Sequence, residues 1–147
     1  MEGQALDGIR ERIQASFDRM GLMRTLGCRL RSIAPGRVAI ELPYSDLVTQ
    51  QHGYFHAAAV TAIADTAGGY AALTKMEPDE DVLAVEFKVN LLRPAVGPLL
   101  VAEASVLRAG RTLVVSRIDV SAIRGDETVL VAAMMQTNFR VRPADGD

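Results

Sequence analysis

The run from Ala57 to Leu73 constrains this chain more than any other stretch. It is Ala-rich and contains no proline. Alanine has the highest intrinsic helix propensity, so a helix of about five turns is expected from His56 to Leu73. It is the longest apolar helix candidate in the chain. Asp65 is the only charged residue between Ala57 and Leu73. A carboxylate among Ala and Ile is expensive to bury unpaired. Partial burial raises its pKa toward the range useful to a general base. A polar residue facing solvent or an interface hydrogen bond would explain it equally. Gly68-Gly69 weakens the helix locally, by about 1 kcal/mol per glycine relative to Ala. The pair suggests close approach by a backbone or a ligand, or a loose spot.

Around this helix the chain reads as short amphipathic pieces. Ile9, Ile13, Phe17, Met20 and Met23 recur at helical spacing, predicting an N-terminal helix that ends near Gly21. Cys28 to Leu42 has strand character, with Ala34-Pro35-Gly36 as the turn of a hairpin. Pro43 to His52 reads as a loop and Glu77 to Asp81 as a turn. Four β-rich segments follow, at Val82–Leu92, Leu99–Arg108, Thr112–Ile123 and Thr128–Arg140. The short punctuation between them predicts mostly antiparallel neighbours. The order implies an α+β domain with an antiparallel sheet wrapped around one long helix. The divisions expected are a helical segment over 1–24, the domain over 25–142, and a flexible tail over 143–147.

Composition narrows the function classes. The chain has 147 residues, one domain's worth. Its net charge of −2 does not fit a nucleic-acid binder. Lys75 and Lys88 are the only lysines, against fourteen arginines. One cysteine, Cys28, excludes an internal disulfide and a cysteine-based zinc site, which fits a reducing cytoplasm. Met1 to Gly8 carries Glu2 and Asp7 and lacks the apolar core of a signal peptide. No apolar run reaches the roughly twenty residues of a membrane span. No Gly-x-Ser-x-Gly elbow is present, which argues against a serine hydrolase. His52 and His56 are the only histidines, and no acidic third ligand lies near them in sequence, so no metal is expected.

The segment from Gln50 to Gly69 (QQHGYFHAAAVTAIADTAGG) resembles the central motif of hotdog-fold acyl-CoA thioesterases. The nearest branch is the PaaI-like, phenylacetate-pathway family. Gln50, Gly53, His56 and Asp65 stand at that motif's spacing. Val85 to Ala95 looks like the family's next strand, and Arg108 to Leu113 like its basic hairpin turn. The likeness covers roughly residues 25 to 140. Two departures stand out. Ala57 and Ala58 replace the family's glycines, which keeps the backbone N–H groups but narrows the approach to them. Ala84 stands where some members carry a serine able to position water.

The resemblance implies hydrolysis of an acyl-CoA, aryl or medium-chain, to free acid and CoA, with no separate cofactor. Asp65 would act as general base or nucleophile. Free N–H groups at a helix N-terminus favour developing negative charge, which suits Ala57 and Ala58 as an oxyanion hole. Gln50 and His56 could add hydrogen bonds. Arg108, Gly110, Arg111 and Thr112 offer cations and backbone N–H groups to the CoA phosphates, and Arg93 could add another contact. The alternative for these is a solvated hairpin turn. Tyr54, Phe55, Tyr70 and Leu73 could line an acyl pocket or simply fill the core. Asp65 follows Ala57 by eight residues, about 12 Å along a helix axis. One helix therefore cannot easily bring both to one carbon, whereas two antiparallel helices of a dimer can. The expected partners are an acyl-CoA and a second copy of the chain, with a tetramer also open, and neither nucleic acid nor membrane. Two alternatives stand beside this reading: a non-catalytic acyl-CoA-binding protein, which Ala57 and Ala58 in place of the glycines leave open, and a hotdog enoyl-thioester hydratase or dehydratase, whose usual Asp/His or His/Glu motifs are not seen in this chain.

Overall fold

The computed structural model describes residues 2–142. The tail expected over 143–147 lies outside them. Helix α1 (Glu2–Arg19) and a short α2 (Gly21–Leu26) precede the hairpin of β1 (Arg29–Ala34) and β2 (Arg37–Pro43). A 3-10 turn (Asp46–Val48) leads to α3 (Ala57–Leu73), and then come β3 (Asp81–Leu91), β4 (Leu99–Ala109), β5 (Leu113–Arg124) and β6 (Glu127–Val141). The N-terminal helix is thus two helices rather than one. Met20 is extended between them, and Gly27, at φ 79°, closes the second through its N–H to Arg24 O. Glycine takes that left-handed conformation without a Cβ clash. Ile13, Phe17 and Met23 are buried, as their helical spacing required.

All six strands form one antiparallel sheet in the order β1-β2-β4-β5-β6-β3. The sheet packs around α3, which touches β2, β4, β5, β6 and β3. This is the hotdog arrangement. Its inner face is built of cross-strand rows such as Val38–Ala104–Ile118–Met134 and Ile40–Ala102–Val120–Ala132. Against them α3 presents Ile63, Ala64, Ala67 and Ala71, all fully buried. The alanines let the helix sit close to the sheet, and burying each Ile or Met contributes about 1.5–3 kcal/mol.

One neighbour relation differs from the sequence reading. β3 pairs with β6, not with β4, and forms the far edge of the sheet. The intervening segment, 92–98, is a crossover rather than a hairpin turn. Three strand spacings separate β3 from β4, about 14 Å. Seven residues span up to about 24 Å when extended, so the connection is sterically easy.

Candidate active site

Asp65 lies midway along α3, half-buried on the side that meets β6. Gln136 Nε2 donates to Asp65 Oδ1 at 2.6 Å and to the Asp65 main-chain oxygen at 3.1 Å. Asn138 Nδ2 in turn donates to Gln136 Oε1 at 3.0 Å. Gln136 and Asn138 are both 0% exposed. Burial pushes the Asp65 carboxyl above the ordinary carboxylate range, and the Gln136 hydrogen bond partly offsets that rise. Among the described residues Oδ2 carries no hydrogen bond, so it is the oxygen available to water or substrate.

The space needed for this contact comes from Gly68. A Cβ built there would sit 2.0 Å from Gln136 Oε1 and 2.9 Å from Ile118 Cδ1. Gly68 therefore admits a side chain, neither a backbone nor a ligand. Its neighbour Gly69 has nothing within 4 Å of a built Cβ.

The other end of the motif surrounds the start of α3. His56 is the N-cap, in extended conformation, and its Nδ1 accepts from Ala58 N–H at 2.8 Å. An accepting Nδ1 carries no proton, so the ring presents Nε2–H outward. The cap also changes the expected oxyanion pair. Ala58 N–H is already engaged by the imidazole, whereas Ala57 N–H meets no acceptor among the described residues. Gln50 Oε1 accepts from His52 N at 2.5 Å and Tyr54 N at 3.3 Å, which braces the preceding loop and leaves its NH₂ unengaged. Gln50, Tyr54, Phe55, His56, Ala57, Val60, Leu91, Leu92 and Arg93 line a cleft of about 540 Å³. That volume is in the range of small-molecule sites.

A single copy of the chain does not unite the whole set. Asp65 is not in the lining of this cleft. Arg93 stands at the cleft and donates to Leu130 O at 2.8 Å. The β4–β5 turn carrying Arg108, Gly110, Arg111 and Thr112 lies at the opposite end of α3. Arg140 Nη2 ties Gly110 O to Lys75 O there, just past the helix C-terminus. Seventeen residues of helix separate the two ends, about 25 Å. Arg108 and Arg111 are exposed. Of the aromatic candidates, Tyr54 and Phe55 line the cleft. Tyr70 and Leu73 are core residues at 4% exposure, with Tyr70 Oη 3.0 Å from Ser16 Oγ. His52 is exposed and stands outside the cleft. Ala84 sits opposite Asn138 across β3 and β6. A wider groove, about 810 Å³, runs between α1 and β1 and holds none of these residues. Among the described residues no cluster of three His, Cys, Asp or Glu could hold a metal ion, and no helix is long and apolar enough to cross a membrane.

Gln136 and Asn138 escaped the sequence reading. A usable signal existed, because strand side chains alternate. If Ala132 and Met134 face the core, so do Gln136 and Asn138, and Ser116 faces Gln136 across β5. Ser116 Oγ and Asn138 Oδ1 are buried with no hydrogen-bond partner among the described residues.

Sheet order, register and central helix define a hotdog domain. Residues 52–129 match the model of the thioesterase superfamily, and the chain belongs to that superfamily. It is a thioester hydrolase. A 1,4-dihydroxy-2-naphthoyl-CoA hydrolase of Listeria monocytogenes is 28% identical over 84% of this chain and 97% of its own length. The crystal structure of a thioesterase family protein from Silicibacter pomeroyi is 41% identical, with a TM-score of 0.89 over 91% of this chain and 98% of that one. The PaaI protein of the E. coli phenylacetic acid degradation operon shares the fold at 20% identity, with a TM-score of 0.83 over 92% of this chain and 95% of that one.

Proposed function

We propose that this protein is an acyl-CoA thioesterase whose active sites form between two protomers. Asp65 comes from one copy; Ala57 N–H, His56 and Gln50 come from the other. The observation that carries this reading is the separation on α3. The one unengaged N–H at the helix start and the lone carboxylate are about 12 Å apart along one axis. A general base works within about 3 Å of its proton or through one water.

β3 supports a second copy. It is an edge strand of eleven residues, with Leu83 62%, Val85 54%, Phe87 43% and Leu91 55% exposed. A long, apolar, unpaired edge invites pairing with another strand. Joining two β3 edges extends the sheet and brings the two α3 helices side by side and antiparallel. The cleft of one protomer then opens toward Asp65 of its partner. The same pairing carries the turn at Arg108 and Arg111 toward the partner's cleft, where Arg93 already stands. Those arginines, with the N–H groups around Gly110 and Thr112, suit the CoA phosphates.

In the reaction the thioester oxygen lies against Ala57 N–H and His56 Nε2–H, and the helix dipole favours the charge that develops there. Asp65 Oδ2 either takes the proton of an attacking water or attacks the carbonyl carbon itself. In the first route the tetrahedral intermediate collapses with the carbon–sulfur bond breaking, and the proton held on Asp65 passes to the sulfur, releasing the free acid and CoA as the thiol. In the second route the collapse expels the CoA thiolate, which takes a proton from solvent, and water then hydrolyses the acyl-Asp65 anhydride to the free acid and the regenerated carboxylate. Tyr54, Phe55, Leu91 and Leu92 make the cleft apolar, which suits an aryl or medium-chain acyl group. A CoA ester and a single buried thiol both fit the cytoplasm.

Mixed dimers test the shared site. Asp65→Asn and Ala57→Pro each remove one half of it. Proline is tolerated at the first helical position and deletes the N–H. Co-expressed, the two variants leave one intact site per mixed dimer, so activity should return from near zero toward half of wild type. No recovery in a purified mixed dimer would place both halves in one protomer and overturn the proposal.

A further inference from the structure

We propose that Gln136 is the positioning residue for Asp65, itself oriented by Asn138, so that the carboxylate is held at Oδ1 and presents Oδ2 to the reaction. The inference rests on Asp65 being the base or nucleophile. The amide can point only one way. Both acceptors on the α3 side, Asp65 Oδ1 and the Asp65 main-chain oxygen, require the NH₂. On the sheet side, Asn138 Nδ2 requires the carbonyl.

Three choices along this line are unfavourable for stability alone. Two amides sit at 0% exposure on the inner face of β6, continuing the side of the strand that carries Met134. Asn138 Oδ1 has no partner among the described residues, and an unsatisfied buried acceptor is destabilising. Gly68 weakens a helix interior, and it is the residue whose missing Cβ admits Gln136. Met or Leu at 136 with Ala at 68 would be the ordinary solution for a helix on a sheet. Departures from local rules that converge on one bond mark a functional site. The bond they share is the one to the carboxylate.

Other charges near Asp65 are few. α3 itself has none between Ala57 and Leu73. On β6 the next is Arg140, paired with Glu80 at 2.5 Å. From β5, β4 and β2 the facing residues are Ser116, Ile118, Ala104 and Val38, and from β3 they are Phe87 and Val89. On α1, Asp18 and Arg19 flank the residues that reach Tyr70 and Thr66. The donor from Gln136 is thus the close group that favours the ionised carboxylate.

The test uses the full chain with benzoyl-CoA and hexanoyl-CoA as substrates, following kcat, KM and the pH profile alongside thermal unfolding. Gln136→Met should lower kcat by about ten- to a hundredfold, the range of a hydrogen bond to a charged group, with KM little changed. Its acid limb should move to higher pH, because the carboxylate loses the donor that favours its charge. Gln136→Glu keeps the volume and the Asn138 bond but sets two carboxyls at hydrogen-bond distance. They then share a proton, and the acid limb should move further up. This variant carries the test alone if Gln136→Met does not fold. A folded variant whose acid limb stays at the wild-type position, with or without a lower kcat, shows a structural role only and overturns the proposal. Asp65→Asn is run beside both. If it retains wild-type turnover, the role of Asp65 falls, and Gln136 with it. If it is inactive while the Gln136 variants titrate like wild type, only the positioning role falls.

Discussion

Gly68→Ala adds one methyl group, and the structure assigns the result. In an open helix the change would stabilise by about 1 kcal/mol. Here the new Cβ would lie 2.0 Å from Gln136 Oε1 and 2.9 Å from Ile118 Cδ1. Neither neighbour can withdraw easily, since both are fully buried. Overpacking of this kind costs about 1–3 kcal/mol. Displacing Gln136 also breaks its bonds to Asp65 and Asn138 inside the core, for roughly another 1–3 kcal/mol. Set against the propensity gain, the net loss is about 3 kcal/mol. For a chain of this size that is roughly 6–12 °C in Tm. Thermal unfolding by circular dichroism reads it directly. Gly69→Ala, with nothing within 4 Å of the built Cβ, is the matched control and should hold or raise Tm. A Gly68→Ala protein at or above the wild-type Tm would refute the packing argument and the placement of Gln136.

Ala57→Pro by itself should leave the fold intact, because His56 already has φ −66° and ψ 140°, the conformation preferred before proline. Turnover should fall about 10²–10³-fold, the usual loss for one oxyanion donor, and unchanged kcat would clear Ala57 of that role. Asp65→Asn should raise Tm at pH 7. Burial lifts the folded-state pKa of this carboxyl above its unfolded value, so stability is full below about pH 3.9 and falls as pH rises through the folded pKa. The variant does not titrate, so its advantage should vanish in acid, and a variant less stable than wild type at pH 7 would contradict the burial argument. Burial pushes the Cys28 thiol up to about 11. It should resist Ellman's reagent in the native protein and react once urea unfolds the chain, whereas fast native labelling would show the thiol to be accessible.

Much of the fold was readable because it depends on local signals. The alanine run gave α3 to within one residue at its start, and turn residues gave the strands to within one or two. Pairing was less legible. Punctuation marks where a strand stops, not which strand it then meets, and only the closed sheet shows β3 beside β6. In the site, Asp65 stood out because it is the only charge on an apolar helix. Gln136 and Asn138 did not, because polar residues on a strand look like a solvent face unless their parity is tracked against Met134. The capture of Ala58 N–H depends on the rotation of the His56 ring, which no sequence pattern encodes.

The most direct test of the account is release of free thiol from a panel of acyl-CoA esters, aryl and straight-chain, by wild type and Asp65→Asn. The expected result is turnover by wild type and at least a hundredfold loss in the variant, the lower end of a general acid–base contribution. Turnover that survives in Asp65→Asn, or no hydrolysis of any ester by the wild type, would contradict it.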